Sequence, residues 1–119
     1  MNLQLSLKKN WFEMTKSGEK TEDYREITPY WANRLCLYFG VQQPKSFWLK
    51  LLTDYKDDLN RLVFLKTIRC SKNIMTLGYP KKGDTERILK LEHKGIEIRT
   101  GNPNWGAEPN KLYFVIKHG

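Results

Sequence analysis

Lys20 and Arg25 stand five residues apart with Glu22 and Asp23 between them, just after Gly18. An arginine offers a planar fork of donors suited to a phosphate or a base edge. A lysine is a compact charge whose pKa falls on burial, so it can serve as base or nucleophile. If the stretch walls a cleft, Lys20 and Arg25 bind an anion, and Lys20 with Asp23 forms a candidate reacting pair. If it lies on a solvated strand, Lys20 pairs with Glu22, and Arg25 pairs with Asp23 or Glu26, for little energy. Glu108 sits in the loop Trp105-Gly106-Ala107-Glu108-Pro109. Beside an indole its carboxyl could act as an acid or read a base amino group; in water it is an ordinary turn glutamate. Trp31, Trp105, Tyr24 and Tyr30 can stack on an unpaired base or fill a small core.

Several chemistries lack their signatures. There is no nucleophilic serine motif, no phosphate-binding glycine loop and no paired histidines. Cys36 and Cys70 form no Cys-x-x-Cys pair, and His93 and His118 have no metal-ligand spacing, so neither metal nor cofactor is expected. The two cysteines read as buried thiols of a reducing compartment. No apolar run approaches the length of a membrane span, and the start lacks a secretory pattern. The expectation is a cytoplasmic monomer of one domain, residues 1–119.

The net charge is +8. Residues 61–100 carry ten basic side chains against four acidic, so +6 of it lies in one third of the chain. Such concentration suits attraction to phosphate backbones, and Arg61, Lys66, Arg69, Lys72, Lys81 and Lys82 form the candidate nucleic-acid face. The same lysines and arginines could equally be solubilising charges on separate strands.

The elements that must position these residues follow from periodicity. Leu3, Leu5 and Leu7 alternate inward along a strand. Asn10 caps a short helix, with Glu13 three residues on, and Gly18 ends it in the left-handed conformation. Residues 20–27 read as a strand, with Thr21, Asp23 and Arg25 on one face and Lys20, Glu22, Tyr24 and Glu26 on the other. Thr28-Pro29 starts a helix that runs up to Gly40, and Ser46 caps another carrying Phe47, Trp48, Leu51 and Leu52. Residues 62–70 form a strand, 71–84 a run of turns, 87–93 and 96–99 two strands joined at Gly95, and 112–117 the last strand. The sum is α+β, with five or six short strands closing into a barrel.

Gly18-x-Lys20-x-x-x-x-Arg25 resembles the signature of the ASCH domains of the PUA-like β-barrel superfamily. Leu5-Ser6-Leu7-Lys8-Lys9, Tyr24-Arg25-Glu26, Pro29-Tyr30-Trp31, Asn33-Arg34-Leu35, the 105–109 loop and Tyr113–Lys117 are similar to a small bacterial and phage-borne subgroup. The likeness covers both ends of the chain better than residues 41–85. It implies a PUA-like small β-barrel of mostly antiparallel strands flanked by two to three short helices, with the motif at the floor of a cleft. The implied partner is RNA, single-stranded nucleic acid or a nucleoside. Ligand-binding residues would be Lys20, Tyr24, Arg25, Trp31, Trp105 and Glu108. One branch resembles an amidohydrolase of N4-acetylcytidine, for which the reacting groups would be Lys20, Asp23 and Glu108. That branch has a threonine where this chain has Asp23. A third alternative is a non-catalytic partner-binding accessory protein of phage or prophage origin.

Overall fold

Leu3, Leu5 and Leu7 are buried along β1 (Asn2–Leu7), as the alternation requires. The computed structural model describes residues 1–56, 58, 65–81 and 83–119. Among these, the chain continues through α1 (Lys9–Lys16), β2 (Glu22–Arg25), α2 (Pro29–Leu35), β3 (Cys36–Tyr38) and α3 (Lys45–Asp54). It then forms β4 (Leu65–Thr67), β5 (Lys72–Leu77), β6 (Ile88–Thr100) and β7 (Leu112–His118). Residues 62–64 of the expected 62–70 strand, and Arg61 before them, lie outside the described residues.

Five strands form one mixed sheet in the order β1-β5-β6-β7-β2. Only β1–β5 is parallel; β5–β6, β6–β7 and β7–β2 are antiparallel. The sheet curls into a half-barrel, and β3 and β4 pair as a separate ribbon. The protein is therefore α+β with mostly antiparallel strands and three α-helices among the described residues. No helix is long and apolar enough to cross a membrane among the described residues. Phe12, Leu35, Trp48, Met75, Phe114 and Ile116 fill the main core, so all three helices close over the sheet.

Several local expectations need correction. The N-cap of α1 is Lys8, not Asn10, and makes no side-chain bond. Gly18 does take a positive φ, 85°, at the end of that helix. Thr28 caps α2 by accepting from the Trp31 N–H. That helix stops at Leu35 rather than near Gly40, because Cys36 turns extended and pairs with Thr67 of β4. Tyr38 reaches the rings of Phe47 and Trp48 from a strand, which the helical spacing disguised. Pro44, not Ser46, occupies the N-cap of α3. The run of turns at 71–84 contains β5, a strand beside β1 in the sheet. Its inward residues are Asn73 and Met75, and a buried asparagine breaks the apolar alternation by which a strand is recognised. The two strands at 87–93 and 96–99 are one, β6, with a register shift between His93 and Gly95. Gly95 has φ 111°, as a bulge at that point requires. Cys36 is buried, its thiol pushed up to about 12 by burial, but Cys70 is only half-buried.

Gly101 marks a second tight point. A Cβ there would lie 2.7 Å from the Tyr24 ring and 2.7 Å from Ala107. Both neighbours belong to the small second core of Ala107, Tyr113 and Val115. Gly101→Ala is expected to destabilise by about 1–3 kcal/mol, as overpacking does. Urea unfolding measures it; an unchanged midpoint would mean that the loop yields freely.

Candidate functional site

Asp23 gathers the motif. It is 5% exposed, its Oδ2 accepts from Arg25 Nε at 2.6 Å, and its Oδ1 stands 3.5 Å from Lys20 Nζ. Simple alternation put Lys20 on the face opposite Asp23. The strand begins only at Glu22, so Lys20 precedes the alternation and turns back toward the carboxylate. Lys20 is 2% exposed, and its ammonium also donates to the Glu22 carbonyl at 2.7 Å. It lies 5.7 and 5.6 Å from the ring centres of Trp11 and Tyr24. Burial lowers its pKa, and the Asp23 carboxylate opposes that shift.

His118 packs behind Lys20. Its Nε2 donates to the Lys20 carbonyl at 3.1 Å. Nδ1 is buried without a partner among the described residues. Burial lowers the His118 pKa, with the Lys20 bond pulling the other way. The unfolded chain, with the ordinary value of 6.5, therefore binds a proton first on acidification. The stabilisation is complete above pH 6.5 and lost as pH falls through the lower folded value. Half-buried His93 has the same sign. Urea unfolding between pH 7.5 and 5 is expected to show falling stability, with a shallower fall in His118→Gln. An equal slope in the variant would remove His118 from the effect.

Arg25 leaves the motif in the other direction. Its Nη2 donates to the Ser6 carbonyl at 2.9 Å, and its guanidinium lies 4.8 Å from the Trp31 ring centre. Arg34, one turn along α2 from Trp31, also lies 4.8 Å from that ring and donates to the Gln4 carbonyl at 3.0 Å. Odd-numbered carbonyls of β1 face β5, as the bonds to Met1 and Leu7 show, so Gln4 and Ser6 present theirs to the open edge. Two arginines and one indole thus cover the edge of β1, and Arg25 ties β2 to β1 across the mouth of the half-barrel. A sheet edge needs such cover.

Beside this edge lies a cleft of about 290 Å³ lined by Gln4, Ser6, Arg25, Trp31, Arg34 and Tyr79, among others. Among the described residues the lining holds two guanidiniums and no carboxylate. Tyr79 is 96% exposed at its rim, and Tyr30 meets the Trp31 ring edge-on at 5.1 Å. The cleft can take an anion on arginine donors and a flat ring against aromatic faces.

Of the expected site residues, Lys20, Asp23 and Arg25 converge, and Arg25 and Trp31 reach the cleft. The others do not. Tyr24 is held inside: its hydroxyl donates to Glu22 at 2.7 Å and accepts from the Asn102 N–H. Glu22 is further bonded by Arg99. Trp105 is half-buried in a 3-10 turn and lines no part of this cleft. Glu108 is 73% exposed, 4.0 Å from Lys111, in a separate hollow with Ile27 and Leu52. The candidate nucleic-acid face also divides. Lys66 and Arg69 share a groove, whereas Lys72 opens β5 and is bonded to Glu92. Lys81 follows four residues after the other end of that strand. Lys82 lies outside the described residues. Arg34, Tyr79, His93 and His118 went unnoticed as site residues. Arg34 alone had a local signal, its position three after Trp31 on a helix.

No family model matches the chain, and neither the curated proteins nor the solved structures yield a significant match.

Proposed function

We propose that the protein is a nucleotide- or RNA-binding module, an ASCH domain of PUA-like type, with its ligand cleft at Arg25, Trp31 and Arg34. One observation carries the reading: two guanidiniums lie against the same indole in a cleft whose lining, among the described residues, has no carboxylate. The family part rests on Gly18, Lys20 and Arg25 lying after the first strand and helix, with both cations drawn to Asp23 beside a curled sheet. A phosphate would be taken by Arg34, the more exposed of the two arginines, and a base by Tyr79 or Tyr30. Titration with a nucleoside 5′-monophosphate, with the bare nucleoside as control, tests it. Saturable binding that depends on the phosphate and weakens in Arg34→Ala supports the reading; no binding at low salt would sink it.

A second reading is hydrolysis of an acylated nucleoside, in which water cleaves the C–N bond to release the amine and a carboxylate. It is favoured by a buried lysine of lowered pKa beside a carboxylate. It would draw on Lys20 and Asp23 without Glu108, and would need Lys20 to open to substrate. Equal turnover of N4-acetylcytidine by wild type and Lys20→Ala would remove it.

A further inference from the structure

A groove of about 1000 Å³ runs between the β3–β4 ribbon and the bulge of β6. It lies apart from the Arg25 cleft. Lys66, Thr67, Arg69, His93, Glu97 and Lys117 supply polar lining groups. Glu97 is occupied, accepting from Lys117 at 2.7 Å and from Arg99 at 2.8 Å. Lys66 and Arg69 have no carboxylate within ion-pair distance among the described residues. Two cations of the groove are therefore available to an anion.

His93 adds a group of opposite character. Asn73 beneath it is fully buried, and its Nδ2 donates to the Lys117 carbonyl at 3.2 Å. That bond fixes the amide, leaving Oδ1 to face His93 Nδ1 at 2.7 Å. A carbonyl oxygen only accepts, so Nδ1 carries the proton. In the neutral ring Nε2 is then an acceptor, held in one orientation by a buried partner, within a groove of cationic donors. Phosphates satisfy lysine and arginine, but they offer nothing to an acceptor. A ribose 2′-hydroxyl beside the phosphate does, and deoxyribose does not.

We propose that this groove binds single-stranded RNA in preference to DNA, Lys66 and Arg69 holding phosphates while His93 Nε2 accepts from a ribose 2′-hydroxyl. The proposal rests on the nucleic-acid reading above, and it assigns to this second groove the choice of sugar.

The test compares fluorescence anisotropy of a single-stranded RNA with that of the same sequence in DNA carrying deoxyuridine. Wild type is expected to favour RNA about fivefold, the size of one neutral hydrogen bond. His93→Phe is expected to bring the two affinities to parity. Lys66→Ala with Arg69→Ala is expected to weaken both and to reduce the slope of log K against log salt by about 1.4. Equal binding of RNA and DNA by wild type, or a preference kept in His93→Phe, would overturn the proposal. The imidazole nitrogens of the unaltered protein give an independent check by ¹⁵N NMR, which is expected to find the proton on Nδ1; a proton on Nε2 overturns it. The two sites separate cleanly. Mononucleotide binding through Arg34 without any RNA preference sinks this inference alone. RNA preference through His93 without mononucleotide binding sinks the cleft reading alone.

Discussion

Asp23→Ala is expected to cost about 3–5 kcal/mol of folding stability, the range for removing one partner of a buried ion pair. Asp23 is the counterion of Lys20, whose side chain is 2% exposed, and it also holds Arg25 at 2.6 Å. Without it Lys20 keeps only the Glu22 carbonyl as a polar partner. At roughly 2.1 cal/mol/K of unfolding entropy per residue, a 119-residue chain would melt about 12–20 °C lower. Scanning calorimetry and urea unfolding measure it. A loss under about 1 kcal/mol would mean that Lys20 reaches water once the pair is broken. Adding Lys20→Met should recover much of the loss, because the cost lies in an uncompensated charge rather than in the missing carboxylate. If the double variant is no more stable than Asp23→Ala, the damage comes from Arg25 losing its anchor.

Arg34→Ala is expected to weaken nucleoside monophosphate binding by about 10- to 100-fold, since a charge-assisted hydrogen bond contributes roughly 1.5–3 kcal/mol. Arg34 is the informative choice. Arg25 is committed to Asp23 and Ser6, so its removal would confound binding with folding. Arg34 is half-buried, holding the Gln4 carbonyl and lying 3.4 Å from the Tyr30 hydroxyl. Its variant should unfold within about 1 kcal/mol of wild type. Arg34→Lys should recover little, because an ammonium lacks both the fork and the planar stacking face. Isothermal titration reads the affinity. Unchanged affinity in Arg34→Ala would place the phosphate elsewhere.

The legible parts of the chain were those with a short-range cause. Leu3, Leu5 and Leu7 declare a strand by alternation, and Thr28-Pro29 declares a helix start because hydroxyl and ring each meet one backbone need. Gly18 declared its own positive φ. The convergence of Arg25 on Asp23 was open as a surface pairing, but its burial was not visible. The strand at Lys72–Leu77 was hidden because Asn73 is satisfied by Lys117 and His93, which stand 44 and 20 residues away. The cleft was half legible: Arg25 and Trp31 were in view, while Arg34 and Tyr79 join them only through the way α2 and the end of β5 meet β1. Glu108 misled because its loop composition resembles a site, although its side chain points away beside Lys111.

The sheet order also sets a schedule for the folding chain. β1 pairs with β5, so Leu7 must wait for Leu77, 70 residues later. β2 pairs with β7, and Arg25 must wait for Phe114, 89 residues later. Within the five-stranded sheet only β5–β6 and β6–β7 join neighbours in sequence. Closing long loops before any contact rewards them is slow, so this C-terminal meander is the part able to form first. On a ribosome, the first 25 residues emerge long before either partner strand exists. The bond from Arg25 to the Ser6 carbonyl therefore forms last, when β1 and β2 dock on opposite edges of the sheet. The proposed ligand cleft and the completed sheet are formed in the same step.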